Sequence, residues 1–173
     1  MKKYILLTII TLIAFSCETN TVEVSKTAGE WFMSGDNQGK PYEIGSNDHV
    51  DIVLEVVRGY AEKNPEAMMK HMADTVKFYP ADAPGVFDVP FTSVDFIVDR
   101  QSNWDSLTRE IYYIAPLKIS GNVEEGWGSV DTAFKETRYL KDGSVEADEF
   151  FEKFVLNNNK IVTVLQWSRP AND

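Results

Sequence analysis

The chain has 173 residues, a formal net charge of −10 at pH 7 and a single cysteine. A charge of that sign repels phosphate backbones and anionic headgroups, so nucleic acid is not an expected partner, and a lone cysteine excludes an internal disulfide. The carboxylates are scattered rather than run together, the pattern of a solvated acidic surface. At the amino terminus Lys2 and Lys3 precede an apolar run from Tyr4 to Phe15, followed by Ser16 and Cys17, the layout of a secretory leader. A run of about a dozen residues is short of the ~20 that cross a bilayer as a helix.

The place of Cys17 directly after that run resembles the lipobox of bacterial lipoproteins, in which the cysteine is lipidated and becomes the new amino terminus. Ala14 and Phe15 stand where the box usually carries Leu and a small residue. The resemblance implies a leader over residues 1–17 and lipidation at Cys17. It also implies a protein held at the bacterial cell envelope, on the periplasmic or cell-surface side, with the lipid anchor as its membrane contact. Residues 18–47 are polar and glycine-bearing, without a sustained period of 2 or 3.6, and read first as a tether. Their later part carries Trp31, Phe32, Tyr42 and Ile44, too apolar for a pure linker, and is expected to pack on the domain as a strand or hairpin around Asn37-Gln38-Gly39.

Residues 48–170 carry the pattern of one globular domain. Ser46, Asn47 or Asp48 can cap a first helix in which Val50, Val53, Leu54, Val57 and Tyr60 recur at helical spacing. Asn64-Pro65 breaks it and opens a short second helix with Met68, Met69 and Met72 on an inner face. "TVKFYP" alternates as a strand, and "FTSVDFIVDRQSNWDSL" returns to a helical period through Val94, Ile97, Val98 and Gln101 or Trp104. After Leu107 come four long aromatic and β-branched stretches separated by turn material, including Lys141-Asp142-Gly143-Ser144 and Asn157-Asn158-Asn159. Helices first and hairpin-joined strands after give an α+β domain.

That order, with the local run "VVRGYAEKNPEAMMKHMADTVKFYP", resembles the nuclear transport factor 2-like superfamily, which includes the SnoaL-like cyclases and ketosteroid isomerase. The resemblance implies a cone-shaped half-barrel, three helices packed on a curved antiparallel sheet, with a pocket between them. It speaks to fold more than function, because the superfamily spans several chemistries. Laid on the isomerase, a worked example of tuned carboxyls, the pattern puts Tyr60 at the oxyanion tyrosine and Phe78 at the catalytic base. A phenyl ring can neither take nor give a proton.

The candidates for pocket acid–base chemistry are Asp131, Tyr60, His71 and Asp82, each weighed against a plainer role. These roles are a solvent-facing strand position for Asp131, core filling for Tyr60, exposure for His71 and a turn residue for Asp82. Tyr60, Phe78, Trp104, Trp127, Asp131 and Trp167 are the expected pocket wall, the tryptophans as flat apolar surfaces. Arg100 and Arg169 are counter-charges for an anionic ligand or partners of surface carboxylates. Neither histidine has the three or four converging ligands of a zinc site, and no cofactor or metal is expected. Strands such as "FFEKFVL" are apolar on both parities, so the face away from the helices needs a cover, either the packed extension or a second copy of the chain in a homodimer.

Two functions follow. With the base position filled by Phe78, the first is a non-catalytic envelope lipoprotein whose cone binds a small apolar or aromatic molecule. The alternative is a cofactor-free isomerase, dehydratase or cyclase using pocket Asp and Tyr, and a protein-interaction subunit is a third possibility.

Overall fold

The computed structural model describes residues 27–32, 34–121 and 126–171. Cys17 and the leader lie outside the described residues, and with them the expected lipid attachment. Among the described residues, eight strands and three helices follow in chain order. A hairpin of β1 (Thr27–Glu30) and β2 (Pro41–Ile44) leads into α1 (Asn47–Ala61), α2 (Pro65–Met69), β3 (Met72–Tyr79), β4 (Phe87–Pro90) and α3 (Asp95–Arg100). The chain then runs through β5 (Trp104–Ile119), β6 (Gly128–Leu140), β7 (Val145–Asn157) and β8 (Lys160–Pro170).

Helix α1 starts where Ser46 Oγ accepts the Asp48 amide at 3.0 Å, which satisfies one of the helix's free N–H groups. Val53, Val56 and Val57 then fall on one stripe and are buried. Burying each contributes roughly 1.5–3 kcal/mol relative to leaving it exposed. After the break, Asn64 Oδ1 accepts the Ala67 amide at 3.2 Å and Pro65 occupies the first helical position, where its missing N–H costs nothing. Helix α3 is shorter than its sequence period suggests, ending at Arg100 rather than running toward Leu107. A tertiary contact decides this end: the buried Gln101 side chain donates from Nε2 to the Tyr60 carbonyl at 2.7 Å, and Trp104 already begins β5.

All eight strands form one sheet in the order β1-β2-β5-β6-β7-β8-β3-β4. The long meander β5–β8 is antiparallel throughout, and β3 joins it by a parallel pairing with β8. Register shifts in β5 at Trp104/Ser106 and Ile111/Tyr113, and in β8 between Ile161 and Thr163 opposite Val155/Leu156, bend these strands, because an extra residue on one side of a ladder kinks and twists it. The result is the expected α+β cone: a curved, unclosed sheet with the helices against its concave face. Strand β4 was not anticipated, since its four residues bury only Val89.

The turn between β7 and β8 holds Asn158 and Asn159 at φ of 49° and 58°, the left-handed pair that a two-residue hairpin requires. Asn159 Oδ1 lies 3.1 Å from His49 Nε2, which ties this turn to the start of α1. The His49 ring packs so closely on β6 that a Cβ at Gly128 would fall 2.7 Å from its Nδ1. The core between helices and sheet is built from the α1 valines with Met68, Met72, Val76, Ile97, Val130, Phe154, Leu156, Ile161 and Val164.

Candidate functional site

Side chains alternate across a strand, so one parity of the meander faces the helices. On β6 that parity holds Val130, Thr132, Phe134 and Glu136, and on β7 it holds Phe150, Glu152 and Phe154. Glu152 pairs in register with Thr132 on one side and Gln166 on the other. The helices leave a cavity of about 70 Å³ above this row, with apolar walls of Val56, Met68, Phe91 and Ile97 among others. Among the described residues, the polar groups in its wall are Tyr60, Arg100, Arg109, Glu152 and Gln166. A second hollow of about 430 Å³ adjoins it, bounded by Pro80, Asp82, Ala83, Phe87 and Asp88, and shares Phe78, Val89, Phe96 and Arg100 with the inner cavity.

Glu152 is 4% exposed, and Gln166 Nε2 donates to its Oε1. Burial pushes its carboxyl up from the usual carboxylate range, against the pull of Arg109 and of the Gln166 hydrogen bond. That environment disfavours the charged form relative to a carboxylate in water, and the carboxyl has a hydroxyl to donate whenever it carries its proton. Gln166 Oε1 is buried with no hydrogen-bond partner in the protein. Side by side, these two side chains offer an entering polar group the free acceptor of Gln166 and, beside it, the Glu152 carboxyl.

The two arginines differ. Arg109 is spent within the protein: its Nε and Nη2 each lie 2.7 Å from Glu136 Oε2. Its guanidinium stacks between the rings of Tyr60, at 4.3 Å, and Phe134, at 4.4 Å. The other oxygen of Glu136 takes Arg138 Nε at 2.6 Å, and Arg138 continues to Asp148 at 3.2 Å. This buried network compensates its own charges. Arg100, by contrast, lies 5.8 Å from the Phe78 ring centre and 3.5 Å from the exposed Asp82. Burial also pushes the Tyr60 hydroxyl up from its ordinary value, with Arg109 opposing, so the phenol stays protonated.

No family model matches the chain, and no curated protein matches it. Solved structures do. An LEH-like epoxide hydrolase from M. tuberculosis superposes at a TM-score of 0.56 with 8% identity, over 72% of this chain and 84% of that one. A Burkholderia thailandensis protein described as nuclear transport factor 2-like gives 0.52 at 19% identity, over 70% and 90%. The chain has the nuclear transport factor 2-like fold. A Catenulispora acidiphila protein with a ketosteroid isomerase-like fold, solved with trimethylamine, gives 0.53 at 10% identity over 68% and 84%. At such identities the likeness concerns the fold alone.

Within the cone of this fold, Tyr60 and Phe78 line the cavity as expected, and Asp82 stands at the outer hollow. Trp104 does not reach the wall; it packs edge-on behind Tyr60 with ring centres 6.0 Å apart, and Arg138 lies over its ring. Asp131, Trp127 and Trp167 require correction: they occupy the opposite face of the sheet. Val130, Thr132 and Phe134 take the inner parity of β6, which turns Asp131 outward, where Lys153 Nζ meets its Oδ1 at 2.7 Å. Trp127 and Trp167 line an outer groove with Trp31 and Tyr42 from the amino-terminal hairpin. His71 is also outside the cavity, 2.7 Å from Glu55 Oε2 on α1. Arg169 pairs with Glu149 at the surface.

The residues that sequence reasoning missed are Glu152, Gln166, Arg109 and Glu136. A usable signal existed in "FFEKF", where Glu152 lies two residues from both Phe150 and Phe154 and must share their face of the strand.

Proposed function

We propose that the cone holds a small, largely apolar or aromatic molecule and reads one polar group of it through Glu152 and Gln166, without turning it over. The observation that carries this reading is the Glu152–Gln166 pair on the floor of a largely apolar cavity, with Gln166 Oε1 unpartnered. Proton abstraction needs an acceptor tuned near working pH. In the inner wall burial raises the carboxyl and keeps the phenol protonated, and two guanidinium groups stand beside them. Such a set is rich in hydrogen-bond donors, and its one carboxyl is engaged by Gln166. An inner space of about 70 Å³ accommodates a functional group rather than a whole ligand, so the body of the molecule extends into the adjoining hollow. The trimethylamine bound by one structural neighbour supports small-ligand binding in this fold.

The rest of the proposal is that the domain sits at the bacterial envelope, anchored through Cys17, and associates as a homodimer through the outer face of its sheet. Phe151, Trp167 and Tyr113 are exposed on that face, and the β1–β2 hairpin shelters only its margin.

A second reading is general-acid catalysis by Glu152, and the observation favouring it is the same burial that strengthens the carboxyl's hold on its proton. The test is a ligand-observed NMR screen of small ketones, alcohols and phenols on wild type, Gln166→Leu and Asp131→Asn. Binding lost in Gln166→Leu and kept in Asp131→Asn supports the cone. Hits that survive Gln166→Leu and vanish in Trp167→Ala would move the site to the outer groove, and chemical conversion of a hit by wild type but not by Glu152→Gln would favour the second reading.

A further inference from the structure

Charge within the cone is uneven. Two cations reach its walls, and Arg109 is already matched by the buried Glu136 at 2.7 Å and covered on both faces by aromatic rings. Arg100 is not matched in this way. Its side chain is one-third exposed, and its carboxylate partner Asp82, at 3.5 Å, is two-thirds exposed. An exposed pair of that length is worth little and exchanges readily. The second carboxylate of the outer hollow, Asp88, leans to Lys77 at 3.4 Å. Arg100 walls both the inner cavity and the outer hollow, with Phe78, Phe96 and Val89 beside it at the neck between them. A guanidinium in an apolar neck gains most from a planar anion that brings its own apolar body, because such a partner adds charge-assisted hydrogen bonds while displacing water from the rings.

We infer that the molecule the cone receives is a monoanion, a carboxylate on a short apolar body, which takes Arg100 as its counter-ion in place of Asp82. This rests on the cone being the binding site, and it adds the ligand's charge and orientation. The polar end opposite the carboxylate reaches Glu152 and Gln166 at the floor, and the carboxylate stays at the neck beside solvent. The acidic surface as a whole does not forbid such a guest, since exposed charges beyond about 8 Å are largely screened at physiological salt.

Matched carboxylate–amide pairs test the inference, because the two members differ in charge and little else. 4-Oxopentanoate and 4-hydroxyphenylacetate, each with its primary amide, are titrated into the full chain and followed by ligand-observed NMR. The carboxylates should bind about tenfold more tightly than their amides, the usual worth of a hydrogen bond to a charged group. Arg100→Gln should bring that ratio to about one, and Asp82→Asn should strengthen carboxylate binding about two- to threefold by removing the competing anion. Amides binding as well as carboxylates, or a carboxylate preference that survives Arg100→Gln, would overturn the inference and leave the cone standing as a site for neutral ligands. Absence of binding by either member of both pairs would overturn the cone reading together with it.

Discussion

Replacing Glu152 by Gln keeps the shape and the hydrogen-bonding reach of the side chain and removes its ability to ionise, so the variant isolates the cost of a charge at the floor of the cone. Glu152 is 4% exposed, and its carboxyl is raised by burial. The folded state therefore binds this proton more tightly than the unfolded chain does. Stability from this group is fully present below the unfolded value, near 4.3, and is lost as pH rises through the higher folded value. Each tenfold of proton affinity gained on folding is worth about 1.4 kcal/mol at high pH. Glu152→Gln should thus match wild type at pH 4 and become the more stable protein as pH climbs. For a domain of this size each kcal/mol appears as about 3–6 °C in Tm. The assay is thermal unfolding by circular dichroism of both proteins at half-unit steps from pH 4 to 8.5. Lowered carboxyls elsewhere, such as Glu55 beside Lys70 and His71, act in the opposite sense but are common to both chains and cancel in the difference. Melting curves that stay parallel across the whole range would show that Glu152 does not carry the raised proton affinity on which the reading of the cone depends.

Three further outcomes are expected. Cys17→Ser should move the protein from the membrane to the soluble envelope fraction on cell fractionation, and continued membrane retention would sink the anchor. Phe151→Glu, on the exposed outer face of β7, should convert a dimer into a folded monomer in light scattering with little change in Tm, whereas a wild type that is already monomeric at high concentration would remove the proposed interface. Phe78→Asp removes a ring packed edge-on against Phe96 at 6.2 Å and leaves a carboxylate near Arg100; urea unfolding should show a loss of about 3 kcal/mol, the low end for deleting a large aromatic side chain. A loss below about 0.5 kcal/mol, the level of an uninvolved surface site, would mean that the ring contributes nothing to the wall.

What could be read from the sequence was what strong local patterns dictate. The valine stripe and cap of α1, the Asn64-Pro65 break and the four long strands with their Asn and Gly turns depend on nearest neighbours and emerge from spacing alone. The cavity does not, because its polar groups sit on strands with apolar residues on both parities. In "FFEKFVL" Phe150 and Phe151 are equally hydrophobic, and only the packing of α1 and α3 decides that Phe150 turns in and Phe151 out. Asp131 is a candidate from sequence because a carboxylate on a strand's inner face is costly unless paired or useful, and the pattern of "WGSVDTAF" does not say which parity is inner. The inner space on β6 instead goes to the bulkier Val130 and Phe134, and Lys153 on the next strand receives the charge. Arg109 and Glu136 are far apart in sequence and meet only because β5 and β6 align them in register.

The parallel pairing of β3 with β8 sets the order in which the molecule can be completed. Phe78 finds its sheet partner in Val164, 86 residues further along the chain, and β8 is the last strand to be made. Until then β3 has only the four-residue β4 beside it, and the meander ends on an open edge at β7. A ribosome-bound or truncated chain stopping near Asn157 would present two unfinished edges and the apolar underside of α1 at once, the combination that invites association with other chains. Closure over so long a loop is also slow compared with local hairpin formation. The fold is therefore committed when β8 docks, and a chain that stops near Asn157 and so lacks β8 should behave as an unfolded and aggregation-prone species rather than as a slightly shortened domain.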